Sequence, residues 1–235
     1  DTLAEYFSIL PGEIICLRQL DSADGLTQKL LLQLLDGNTI ETVLMHHDYG
    51  YSVCVSSQVG CDMHCAFCAS GLNGAVRNLT QTEILAQVYF FNARLAAAGQ
   101  RVSRVVVMGS GEPMLNFDNV FGALQFLHLP ETANMSYRNM TVSTCGIIPG
   151  IERMQQLAAP INLAISLHAV QDELRTALMP VNRGYPFPAV IAAAEDYALH
   201  SGRQVTYEYI LLDGKNDREE DALLLAEFLR HKKAS

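Results

Sequence analysis

From Tyr51 onward, short apolar runs alternate with stretches of helical periodicity, and this alternation limits the possible folds more than any other feature. Val105-Val106-Val107-Met108 is apolar at every position, as a strand covered on both faces requires. Strands are expected over 51–57, 105–108, 139–144, 161–166 and 204–211. Between and after them, helices are expected over 80–98, 117–127, 148–157, 171–178, 186–200 and 217–230. The first has a clear start signal: Thr80 as N-cap, with Glu83 three residues on, forms a capping box. Gly99 lies just past its end. Repeated strand–helix units imply right-handed crossovers and a parallel sheet. Five such units fall short of the eight that close a barrel, so an open, partial β/α barrel of the α/β class is expected.

The first fifty residues read differently. Runs over 29–36 and 39–45 flank Asp36-Gly37-Asn38, and Asp-Gly between apolar runs signals a β-hairpin. Ahead of them, Leu3, Tyr6, Phe7 and Leu10 have helical spacing that ends at Pro11-Gly12. The expected organisation is an N-terminal segment, 1–50, carrying an antiparallel hairpin, followed by a barrel core, 51–235.

In open α/β sheets chemistry collects at the carboxyl ends of the strands. The polar clusters of this chain fall there: Gly109-Ser110-Gly111-Glu112-Pro113, Ser143-Thr144 and Ser166-Leu167-His168. Just beyond the first core strand comes Cys61-Asp62-Met63-His64-Cys65-Ala66-Phe67-Cys68. Three thiolates this close suit an iron–sulfur cluster or zinc. Zinc in a structural site takes four protein ligands, for which His64 or Cys54 would have to serve. Three thiolates on a cubane leave one iron open to a non-protein ligand. The chain has six cysteines in 235 residues, bunched and few, unlike a disulfide framework, which points to a reducing cytoplasm. No apolar run is long enough for a membrane span. The net charge of −9 runs against a nucleic-acid partner. With no initiator Met, the sequence reads as part of a longer chain.

Taken together, Asp24-Gly25, Ile40-Glu41-Thr42-Val43, the run from Cys54 through the three cysteines to Arg77-Asn78-Leu79-Thr80, Gly111-Glu112-Pro113, Ser143-Thr144-Cys145-Gly146 and Ser166-Leu167-His168-Ala169 resemble the RlmN/Cfr family of radical S-adenosylmethionine (SAM) adenine methyltransferases. The resemblance spans roughly residues 20–225. It implies a radical SAM partial barrel, and a 4Fe-4S cluster held by Cys61, Cys65 and Cys68 that binds SAM. It implies that one electron cleaves SAM to a carbon radical. That radical activates a methyl group carried on a C-terminal cysteine, for transfer to an adenine of large-subunit ribosomal RNA. Carbon 2 is expected in preference to carbon 8, with transfer RNA as a further substrate. By the same resemblance, Gly111, Glu112, Ser143, Ser166, Leu167 and His168 contact SAM. Cys54 resolves the protein–RNA adduct, and Glu41 accepts a proton. The implied partners are RNA and an electron donor such as flavodoxin or ferredoxin, with no membrane and a monomeric state.

The sequence departs from the family in two respects. Gly109-Ser110-Gly111 stands where the family has Gly-Met-Gly. The sixth strand, a later SAM-contacting asparagine and the methyl-carrying cysteine would lie beyond Ser235, so the sequence is expected to be a fragment. Two other readings stay open: a radical SAM enzyme of another reaction class, and a zinc-binding module. At residue level, Cys54 also reads as a packed strand thiol, Glu41 as a solvated strand carboxylate, and Ser143 and Ser166 as strand-end caps. Arg77 and Asn78 read either as helix-capping or as RNA-contacting residues.

Overall fold

Eight strands form one open sheet in a computed structural model that describes residues 14–157, 159–230 and 232. Four of them are antiparallel: β1 (Ile15–Asp21), β2 (Thr27–Gln33), β3 (Thr39–His47) and β4 (Gly50–Val55). From β4 the sheet continues in parallel through β7 (Val102–Val107), β8 (Met140–Thr144), β9 (Asn162–Ser166) and β10 (Thr206–Glu208). The two edges, β1 and β10, are not hydrogen-bonded to each other, so the barrel is partial, as expected. Two short strands, β5 (Gln58–Gly60) and β6 (Ala75–Asn78), pair with each other outside this sheet.

Helices α1 (Gln81–Leu95), α2 (Phe117–His128), α3 (Ile148–Gln156), α4 (Asp172–Leu178), α5 (Phe187–Ser201) and α6 (Glu219–Leu229) follow the parallel strands. Alternation along each strand decides which face they cover. Val53, Val55, Val105, Val107, Val142, Leu163 and Ile165 are buried in the core. Val88 and Phe91 of α1 and Val120 and Leu124 of α2 belong to the same cluster. The opposite, concave face carries Cys54, Val106, Ser143, Ser166 and Glu208.

Local signals held where backbone chemistry was decisive. The Thr80 hydroxyl accepts from the Glu83 amide at 3.2 Å, and the Glu83 carboxylate accepts from the Thr80 amide at 2.8 Å. Arg77 joins this box to the hairpin turn: it meets Glu83 at 2.8 Å and Asp36 at 2.7 Å. Asn78 accepts from Gln58 Nε2 at 2.7 Å. Arg77 and Asn78 therefore brace the start of α1 and the β5–β6 clip.

Three expectations need correction or limits. The strand expected over 204–211 runs only over Thr206–Glu208. Beyond it the chain peels away, because the Asn216 amide captures the Ile210 carbonyl at 2.8 Å and the His168 carbonyl at 2.7 Å. Strand β1 was not expected, since its residues are almost all exposed and show no alternation. The helical run at Leu3, Tyr6, Phe7 and Leu10 lies outside the described residues.

Candidate active site

The cysteine loop is built from its base upward. β5 and β6 clip its two ends together, with Gly60 opposite Ala75 and the Cys61 amide donating to the Gly74 carbonyl at 3.1 Å. Gly60 has φ +76°, and a Cβ there would overlap the Gly74 carbonyl oxygen. Only glycine allows this approach. Inside the loop, the Cys68 amide donates to the Cys65 carbonyl at 3.0 Å, and the Ala66 amide donates to the Leu178 carbonyl of α4 at 2.8 Å. Phe67 packs edge-on against His168, with ring centroids 4.7 Å apart.

Cys61, Cys65 and Cys68 face a cavity of about 240 Å³ whose other walls are the strand ends. Gly111, Glu112, Ser143, Ser166 and His168 line it together with them. Leu167, between Ser166 and His168, is fully buried and does not line it; its amide donates to the Glu208 carbonyl at 2.9 Å. Topology thus brings to one place eight of the nine residues expected to hold the cluster or SAM.

Burial pushes the Cys65 thiol up to about 12, with neighbouring Cys61 and Cys68 adding like charge. Burial also raises Cys61. Such thiols become anions when a metal cation offsets the cost. Among the described residues, no three His, Cys, Asp or Glu side chains converge as they would on a single ion. Three separated thiols on one cavity wall fit a cluster, which offers each thiolate its own iron.

The remaining walls carry oxygen. Glu112 is 3% exposed, and both its carboxylate oxygens accept from backbone amides, Met114 at 3.0 Å and Cys145 at 2.8 Å. Burial still raises its pKa, because those dipoles do not fully replace water. Its own amide donates to Gln58 Oε1 at 2.8 Å. Gly111 has φ +103°, and a Cβ there would press on Gln58 at 2.6 Å. Ser143 donates to Glu208 Oε2 at 2.8 Å, and Ser166 reaches the same oxygen at 3.5 Å. Glu208 also lines the cavity, and sequence reasoning did not single it out.

His168 sits at φ +57°, and its Nδ1 accepts from the Ile210 amide at 3.1 Å. That bond fixes the tautomer with its proton on Nε2. Burial, aided by Arg175, lowers the imidazole pKa to about 4.

Cys54 and Glu41 do not line the cavity. Val43 pairs directly with Cys54 across β3–β4, which sets Glu41 one diagonal step from Cys54 on the concave face. Such diagonal neighbours stand roughly 7–8 Å apart. Burial pushes the Cys54 thiol up to about 11, so at neutral pH it is a thiol. Glu41 is half-exposed and paired with Lys29 at 2.6 Å.

Comparison with known proteins places these features in context. Residues 55–226 match the Radical SAM superfamily. A protein of Symbiobacterium thermophilum named "Probable dual-specificity RNA methyltransferase RlmN" is 51% identical over 204 residues, 87% of this chain and 55% of that protein. Same-named proteins of Moorella thermoacetica and Spiroplasma citri are 50% and 46% identical, covering 91% and 97% of this chain and 62% and 65% of theirs. The crystal structure of a radical SAM methyltransferase from Sphaerobacter thermophilus superposes with a TM-score of 0.90 at 42% identity, covering 94% of this chain and 65% of that one. The chain therefore spans just over half to two thirds of the length of these relatives.

Proposed function

The chain belongs to the radical SAM superfamily, and from that premise we propose that it forms the core of an enzyme that methylates adenine in large-subunit ribosomal RNA. Carbon 2 is the proposed position, in preference to carbon 8. One observation carries the reading: three thiols on one wall of a cavity face hydroxyls and carboxylates on the other. The RlmN names of relatives about half identical support the RNA substrate. Dual specificity in those names supports a second RNA class, for which transfer RNA is our choice. A flavodoxin or ferredoxin would deliver the electron, and the enzyme would act as a monomer. Among the described residues no helix is long and apolar enough to cross a membrane.

In this reading Cys61, Cys65 and Cys68 hold a 4Fe-4S cluster beside SAM. The chemistry supplied there, once both are bound, is one-electron cleavage of the sulfonium and release of a carbon radical. The residues of the chain do the rest. The Gly111-Glu112 turn and the hydroxyls of Ser143 and Ser166 offer acceptors for the ammonium and hydroxyl groups of SAM. His168 closes the cavity behind them. Phe67, Met63 and Met179 give its walls an apolar surface that excludes water. Cys54 is the proposed residue that resolves the protein–RNA adduct, and Glu41, on the same face, is the proposed proton acceptor in that chemistry.

The test is anaerobic reconstitution with iron and sulfide, followed by SAM and dithionite. 5′-Deoxyadenosine should form. A loaded cluster that leaves SAM intact would overturn the proposal. Mass spectrometry of ribosomal RNA from cells lacking the gene should show loss of 2-methyladenosine.

A further inference from the structure

Arg175 of α4 is fully buried, and among the described residues no carboxylate forms an ion pair with it. Its guanidinium is spent on neutral acceptors. Nη2 donates to the Cys145 carbonyl at 2.8 Å and to the Ser166 carbonyl at 3.1 Å. Nε donates to the Leu167 carbonyl at 3.3 Å, and Nη1 to Asn182 Oδ1 at 2.6 Å. These bonds tie the segments that leave β8 and β9 into one unit. The same helix holds the cysteine loop through the Ala66–Leu178 bond. Hydrogen bonds solve the geometry but leave the charge. A buried cation without a counterion is costly, and arginine does not shed its proton.

Three groups lie near enough to answer that charge. On the solvent side, Asp172 accepts from Asn182 Nδ2 at 2.9 Å, so it is one residue removed from the guanidinium. On the cavity side, the thiols of Cys65 and Cys145 lie within electrostatic range. Cys145 is deeply buried and its pKa is pushed far up, so it stays neutral. Cys65 is different, because ligation turns it into a permanent thiolate.

We propose that Arg175 is the fixed countercharge of the cluster site, a positioning residue that joins the strand ends and also favours the reduced cluster. The inference rests on the cluster-bearing reading above. Reduction adds one electron from an external donor and no proton, so the site gains one negative charge. A buried cation stabilises that product more than the oxidised form, which raises the midpoint potential.

The experiment uses the full chain, reconstituted anaerobically and titrated with dithionite without SAM while visible and electron paramagnetic resonance spectra are followed. Arg175→Met removes the charge and keeps the bulk. Its midpoint should fall by at least about 59 mV, a tenfold loss in the reduced-to-oxidised ratio at fixed potential. Arg175→Lys keeps the charge without the fork and should restore most of the difference. Asn182→Asp keeps the arginine but sets a carboxylate against Nη1, and it too should lower the potential; it decides the matter if the Met variant does not fold. A variant with an intact cluster and an unmoved potential, even one that melts earlier, overturns the inference. A wild-type chain that takes up no cluster overturns the parent reading, and this one with it.

Discussion

Replacing His168 with Asn should remove a specific acid sensitivity from the fold. His168 is buried, and its Nδ1 already accepts from the Ile210 amide. A proton on Nδ1 would break that bond and place a cation near Arg175. Folding lowers the imidazole pKa from 6.5 to about 4, so between those values the unfolded chain binds the extra proton. Stability is therefore complete above 6.5 and falls as pH drops towards 4. The shift corresponds to about 3 kcal/mol in full, of which about 2.5 kcal/mol is lost by pH 4.5. Asn suits the site: its Oδ1 can accept from the Ile210 amide, and Asn tolerates φ +57° better than most residues. Urea unfolding of the metal-free protein at pH 7 and pH 4.5 gives the answer. The variant should match wild type at pH 7 within about 1 kcal/mol. At pH 4.5 it should be the more stable by about 2–3 kcal/mol. Carboxylates titrate equally in both proteins, so they cancel in the difference. Parallel losses in the two proteins would refute the argument that His168 is held neutral.

Two further substitutions test how the cysteine loop is held. Gly60→Ala forces a Cβ onto the Gly74 carbonyl at φ +76°, and should cost at least about 1–3 kcal/mol by thermal melting. It should also reduce the iron bound per chain, because the clip under Cys61 can no longer close. Thr80→Ala removes one half of the capping box and should cost about 1 kcal/mol in urea unfolding, with iron content unchanged.

Parts of the fold were legible because they depend on neighbours in sequence. The Thr80–Glu83 box spans four residues, and the Asp36-Gly37 turn spans two, so backbone chemistry alone decides them. The turn at Asp24-Gly25 had the same signal, with Asp24 Oδ1 accepting from the Leu26 amide at 3.0 Å. It could have revealed β1, but that strand lies at an exposed edge and shows no apolar alternation. The end of β10 was overestimated because Ile210 and Leu211 look like strand residues. Asn216 draws the chain away there, an event that depends on His168, 48 residues earlier.

The same division runs through the site. Three cysteines within eight residues announce a soft-metal site, iron–sulfur or zinc, from spacing alone, since soft ligands so close have few other uses. That Glu208 completes the Ser143–Ser166 wall could not be read in advance, because the parallel crossovers alone bring those strand ends side by side. In the sequence nothing sets Arg175 apart from the other arginines. Only packing removes its water and brings its charge within range of Cys145 and Cys65. Short-range chemistry is written along the chain, whereas burial and long-range electrostatics exist only once distant segments have closed around each other.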